Sequence, residues 1–312
     1  MTARAKFLQA LRAAENTSQN PILLGGPTDD DRESARLLRN GLAVTSFCNF
    51  EGFISDRLRE LSSWLNTQDL PGAFFPDSLR EAPIKRAPSI LAALIGRTES
   101  GSTLVSAAMR ELGAAWSSPS GGGWTLPHVA LLWPGSNLSS EMIMQILSAF
   151  GVSSGWASLS AVSKAAGFGV QATNESFQSI AERRHKAAHD STFDVDIVLL
   201  RNTPEQLRSL GFAFDALLTS AAQQIASGGV SISGKESVKQ HALVQDSADK
   251  NLWSHRIGHA TDPNALVTKE NGTEEEVGTK VRGQLTEKGA SLIVRRWEDE
   301  RLIVSGWFST GV

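Results

Sequence analysis

One apolar stripe constrains this chain more than any other feature in it. Leu37, Val44, Phe47, Ile54, Leu58, Leu61 and Leu65 recur at helical spacing up to about Asn66. A stripe of that length has to be covered by other helices along its whole course, so it marks the spine of a helical bundle. Its start is also written in the sequence. Gly25-Gly26-Pro27 is a turn, Thr28 supplies a cap, and Asp29-Asp30-Asp31 places negative charge where free N–H groups and the helix dipole favour it.

Around this spine the pattern predicts a first helix over residues 4 to 15, with Phe7, Leu8, Leu11 and Ala14 on its apolar face. Further helices are expected over 102 to 115, over 140 to 149 behind Asn137-Leu138-Ser139-Ser140, and over 174 to 189. A last long one is announced by Thr203-Pro204-Glu205-Gln206 and runs to about Ala226. Residues 67 to 89 hold several prolines and read as mostly irregular, leading into the apolar segment Ile90 to Ile95. Ser117 to Gly123 reads as a flexible loop. After Gly228-Gly229 the pattern changes: Val230-Ser231-Ile232 alternates and Ala265 to Thr268 is strand-like. Leu292-Ile293-Val294 and Leu302-Ile303-Val304 flank the charged turn Glu298-Asp299-Glu300 as a hairpin. Thr273-Glu274-Glu275-Glu276 is a capping box opening a short helix to about Lys288. The expectation is a mainly α chain, a helical domain over 1–228 followed by a small α+β domain over 229–312.

Charge and cysteine usage narrow the function classes. The formal net charge is −3, with 19 basic and 21 acidic residues up to Gly228 and 11 and 12 after it. Neither half is basic, so extended phosphate neutralisation along a duplex is not expected, whereas a small local phosphate site is compatible. The single Cys48 can form no intrachain disulfide, which points to a reducing, cytoplasmic setting. The apolar runs are too short for a membrane span and no export signal is visible at the N-terminus.

Phosphate loops, clustered Cys/His metal sets and nucleophile elbows are missing from the sequence, so the histidines direct the search for chemistry. His128, His241, His255 and His259 have no partner pattern and read as surface or structural residues. His185 and His189 differ, because they lie one turn apart on the 174 to 189 helix together with Arg183, Arg184 and Lys186. Arg184 borders the apolar side supplied by Phe177, Ile180, Ala181 and Ala188, and it stands five residues before His189. Glu51 interrupts the spine's stripe, where a carboxylate either orients one of these arginines or makes a purely structural pair. His185 and His189 also have the spacing of two metal ligands, with no dedicated third ligand.

The segment Arg184-His185-Lys186-Ala187-Ala188-His189 resembles the motif of the HEPN ribonuclease superfamily: Arg, a polar residue, three further residues and His, often with Ala before the last. The likeness extends to Phe47-Cys48-Asn49-Phe50-Glu51-Gly52-Phe53, to Ser136-Asn137-Leu138 and to Ala149-Phe150-Gly151-Val152, and is closest to the RiboL-PSP branch. It covers about residues 30 to 226. It implies an HEPN-like helical bundle that cleaves RNA without a metal or other cofactor and pairs two motif helices across a homodimer. A toxin or defence role, with an antitoxin or regulatory protein partner, is also implied. The alternative within the same family is a noncatalytic module that binds nucleotide, RNA or protein. The residue chemistry suits the enzyme: His189 as acid/base, Arg184 as phosphate and transition-state stabiliser, His185 as polar orienter, and Arg183, Lys186 and Glu51 as substrate-binding or orienting groups. The doubled arginine leaves open which guanidinium faces the site, and the four-residue spacer selects Arg184.

Overall fold

The computed structural model describes residues 1–97, 103–117, 123–133, 137–168, 173–228, 240–257, 267–285, 291–298 and 301–309. In chain order its helices are α1 (Ala3–Ser18), α2 (Asp29–Thr67), α3 (Asp77–Lys85), α4 (Ala87–Arg97), α5 (Thr103–Ser117), α6 (Ser140–Ala149), α7 (Gly155–Ala165), α8 (Thr173–His189), α9 (Ile197–Ala226) and α10 (Glu274–Gln284). The strands are β1 (Gln240–Gln245), β2 (Leu252–Ile257), β3 (Val267–Asn271), β4 (Ser291–Glu298) and β5 (Arg301–Ser309). The chain is thus mainly helical with a small C-terminal mixed sheet. Among the described residues no helix is long and apolar enough to cross a membrane.

Residues divide into two compact units, and the breaks at 57/58, 141/142 and 211/212 fall inside α2, α6 and α9. The first holds Met1–Arg57, Asn137–Glu141 and Gln171–Gly211; the second holds Leu58–Ser136, Met142–Val170 and Phe212–Val312. The boundary expected at 228/229 lies inside the second unit, and α2 and α9 each give residues to both.

In the first unit the core is aromatic. Phe7 stacks on Phe53 with ring centroids 4.5 Å apart, and Phe177 of α8 meets Phe47 at 5.8 Å and Phe50 at 6.3 Å. Side chains at 47, 50 and 54 share one face of a 3.6-residue helix, which is why the stripe packs α8 at this level. The N-terminus of α2 forms as expected: the Asp31 N–H donates to Thr28 Oγ1 at 3.1 Å, and Asp31 Oδ2 accepts from the Thr28 hydroxyl at 2.6 Å. One stripe position departs from expectation. Leu37 is 58% exposed, while Ala35 and Asn40 are buried, because the first turns of α2 are held by polar side chains gripping the connector between α8 and α9.

That connector corrects the expected start of α9. The Asp196 carboxylate accepts from the Val198 and Leu199 N–H groups at 2.8 and 3.0 Å, so the helix is capped at 196. Thr203 lies inside it with its hydroxyl donating to the Leu199 carbonyl at 2.9 Å, and Pro204 is an interior proline.

In the second unit, the stretch read as irregular over 67 to 89 contains α3 and the start of α4. Pro76 sits at the N-cap of α3 and Pro88 in the first turn of α4, positions where a missing N–H costs nothing; only Pro83 is interior. Ala82, Ala87, Ile90, Ala108, Leu112, Val129 and Ala130 form one buried cluster here. The sheet order is β3-β2-β1-β4-β5, with β1 and β4 parallel and the other pairs antiparallel. The β4/β5 hairpin is the expected one, with Ile293 opposite Trp307, and a bulge falls between Val294 and Arg295. A parallel pair needs a crossover, which α10 supplies after the Thr273/Glu276 capping box. Val277 and Val281 of α10 cover Leu243, Trp253, Leu292 and Val294 on one face. On the other, Trp307 meets Phe212 edge-on at 5.8 Å and donates its indole N–H to Asp215 at 2.7 Å. The expected alternation at Val230-Ser231-Ile232 and the expected helix end at about Lys288 lie outside the described residues.

Candidate functional site

All six residues singled out from the sequence belong to the first unit, five on the last two turns of α8 and one on α2. The helix ends at His189, with Lys186 and His189 in its final turn, where cations complement the exposed carbonyls. The next residue closes it: the Asp190 N–H donates to the Lys186 carbonyl at 2.8 Å, and the Asp190 carboxylate accepts from Thr192 N–H and hydroxyl at 2.9 and 2.7 Å. Ala187, not Ala188, is the alanine that packs. Ala187 lies against the buried cluster of Leu23, Ala43, Val195 and Leu200, while Ala188 is exposed.

The two arginines have different surroundings. Arg183 is half-buried, with one Nη donating to the Ser179 hydroxyl at 2.7 Å and the other reaching Thr203 Oγ1 at 3.5 Å. Burial pushes its guanidinium below the ordinary value, and the charges of Asp196 and Glu182 oppose that shift. Its partners are therefore on α8 and α9. Arg184 is also half-buried, and its Nε is enclosed without a hydrogen-bond partner. Its charge acts on Glu51. The Glu51 carboxyl is pushed above the usual carboxylate range by burial, against the opposing pull of the Leu138 N–H and the Arg184 guanidinium. Glu51 Oε1 accepts from that N–H at 2.5 Å, across 87 residues of sequence. Glu51 thus ties α2 to the segment before α6 and stands as counter-charge to Arg184.

The imidazoles of His185 and His189 are exposed, and their ring centroids are 4.8 Å apart with planes inclined by 52°. No third His, Cys, Asp or Glu joins them in a metal-holding cluster among the described residues. Lys186 pairs with Glu182 at 2.7 Å, both side chains about half exposed, and its ammonium lies 5.9 Å above the centre of the Phe193 ring. No family model, curated protein or solved structure matches this chain.

Two features of the site have no local signal. The contact from Glu51 to the Leu138 N–H depends on how three separate segments meet. Phe193, held between the motif helix and α9, has no motif of its own.

His128, read as a surface or structural residue, forms a pair with Glu111 in the second unit, Nδ1 to Oε2 at 2.6 Å. His241 and His255 are buried and share a 3.2 Å contact between ring nitrogens; burial and the His241 charge push His255 below its ordinary value.

Proposed function

We propose that this chain is an HEPN-type endoribonuclease that cleaves RNA through the substrate's own 2′-hydroxyl. The observation that carries the reading is the pairing on one helix end of two exposed, adjacent imidazoles with a guanidinium whose enclosed Nε has no partner. In this reaction a base removes the 2′-hydroxyl proton, the 2′-oxygen attacks the neighbouring phosphorus, and the P–O5′ bond breaks as an acid protonates the leaving oxygen. The products are a 2′,3′-cyclic phosphate and a 5′-hydroxyl. Imidazole titrates near ~6.5 in general and serves either role near neutrality; guanidinium stays charged and pairs with phosphate oxygens as charge builds on them. His189 is the acid/base group and Arg184 the phosphate and transition-state stabiliser. His185 orients the substrate beside His189, and Lys186 adds charge. DNA lacks the attacking hydroxyl and is not a substrate.

Glu51 is the counter-charge that holds Arg184, and Arg183 braces α8 against α9. The active species in this reading is a homodimer through α8, in which each site gains imidazoles from both copies. A regulatory or antitoxin partner and a defence role go with the same reading.

The test is incubation of purified protein with total RNA beside Arg184→Ala and His189→Ala. Wild type should cleave and both variants should lose cleavage, with circular dichroism melts near wild type. Full activity in either variant would overturn the assignment.

A further inference from the structure

We propose that Phe193, with Lys186 beside it, forms a subsite for an unpaired nucleobase next to the cleavage point, so that the substrate is single-stranded RNA there. This rests on the ribonuclease reading. Phe193 is four residues past His189, in the connector that leads from α8 into α9. Its backbone is fixed from α2: the Phe193 carbonyl accepts from Asn40 Nδ2 at 2.7 Å and from Arg36 Nη1 at 3.2 Å. The same Asn40, itself 7% exposed, accepts the Val195 N–H at 3.2 Å. Arg36 also holds the Ser191 carbonyl, and Arg39 grips both Asp194 oxygens at 2.8 and 2.7 Å. A surface connector this heavily braced holds whatever it carries at a set distance from the motif.

It carries a half-buried aromatic ring. One part of the Phe193 ring packs on the cluster of Leu23, Ala43, Val195 and Leu200, and the Lys186 ammonium stands 5.9 Å from its centre. Among the described residues that ammonium otherwise pairs with Glu182, in a solvent-exposed ion pair of the kind that contributes little and breaks easily. Lys186 is therefore free to swing onto a phosphate and uncover the ring. Unpaired bases stack on aromatic rings whatever their identity, whereas bases inside an A-form duplex present no free face. A ring fixed four residues past His189 and a movable cation beside it match one nucleotide: base on Phe193, phosphate at Lys186.

The experiment uses the full-length protein and a fluorescein-labelled 2′-O-methyl oligoadenylate of twelve nucleotides, which cannot be cleaved, alone and annealed to its complement, at fixed salt. Phe193→Leu should weaken single-strand binding about tenfold while Phe193→Trp binds at least as well as wild type, as expected for loss and gain of stacking area. Duplex affinity should be unchanged in both. Lys186→Met should lower the salt dependence of single-strand binding by about one unit of slope. Melting curves of the two Phe193 variants confirm that both are folded. Phe193→Leu binding like wild type, or single-strand and duplex affinities falling together, overturns the subsite. Cleavage is followed in parallel. If wild type cleaves RNA and Phe193→Leu does so with unchanged KM, the subsite fails alone; if wild type neither cleaves RNA nor binds the probe, both readings fail.

Discussion

Replacing Glu51 separates two roles that a single carboxylate holds together. In Glu51→Ala the Leu138 N–H loses its acceptor, and Leu138 is 2% exposed, so a buried donor is left unsatisfied. That costs about 1–3 kcal/mol, and at ~2–4 °C per kcal/mol for chains of comparable size the melting temperature should fall on the order of 4 °C. Glu51→Gln keeps an acceptor for the N–H. It weakens a charge-assisted bond by about 1 kcal/mol, yet it also removes the charge whose burial is the largest influence on this group, so its melting temperature should stay close to wild type. The pH dependence has a definite sign. Because the folded chain raises the Glu51 pKa, the folded state binds the proton more tightly than the unfolded one. Glu51 therefore favours folding most in acid, and that contribution is lost as pH rises through the ordinary carboxylate range and then the raised folded value. The stability of Glu51→Gln relative to wild type should accordingly increase between pH 4 and 7. Both variants remove the charge facing Arg184, and cleavage should drop by roughly tenfold or more through misplacement of the guanidinium. Circular dichroism melts across that pH range and a cleavage assay measure both effects. Equal melting of Glu51→Ala and wild type, or a Glu51→Gln difference that shrinks as pH rises, would refute the reasoning.

Three further outcomes are expected. Cleavage should persist in excess EDTA and leave 2′,3′-cyclic phosphate and 5′-hydroxyl ends, read by mass spectrometry; loss in EDTA with rescue by zinc or manganese would instead assign His185 and His189 as metal ligands. Activity per subunit should fall on dilution as light scattering shows monomer appearing, whereas a fully active monomer would give the second acid/base role to the neighbouring His185. Asp215 is buried and accepts the Trp307 indole N–H, so Asp215→Ala should destabilise by about 1–3 kcal/mol and Asp215→Asn by less, in urea titrations.

Helices with strong apolar contrast or a conventional cap were legible in the sequence. The Thr28/Asp31 start of α2 and the Thr273/Glu276 start of α10 depend on residues three apart, and such local pairs can be read without the fold. α7 was not seen. It is rich in Ser and Ala, and its N-cap Ser154 adopts φ 50° without a side-chain cap bond, so neither its face nor its start stands out. β1 and β2 lack a local signal for a related reason: Gln240–Gln245 and Leu252–Ile257 mix His, Gln, Ser and Arg with apolar residues, and the inward-facing Leu243 and Trp253 acquire their meaning only from α10 across the sheet. At α9 a cap-like tetrapeptide misled, because Thr203 satisfies its hydroxyl within a helix that Asp196 had already capped.

The motif itself was the most legible part of the site, since a single helix fixes the relation of Arg184, His185 and His189 by spacing alone, and the two rings do lie side by side. What spacing could not supply was the difference between neighbours. Arg183 and Arg184 are equivalent in composition and 100° apart on an ideal helix; their fates are decided by what each meets, Ser179 and Thr203 for one and the charge of Glu51 for the other. The same logic explains Phe193. A lone aromatic in a polar connector carries no signal until Arg36 and Asn40, more than 150 residues earlier, are seen to hold its backbone. α2 thereby acts on the helix end at two levels, bracing the connector with Arg36 and Asn40 and countering Arg184 with Glu51 about three to four turns later. If that is its role, Asn40→Ala should loosen the connector and weaken single-strand binding, while Glu51→Gln should impair cleavage and leave that binding intact. Equal effects of the two substitutions on binding and on cleavage would mean that α2 serves the site only by keeping it folded.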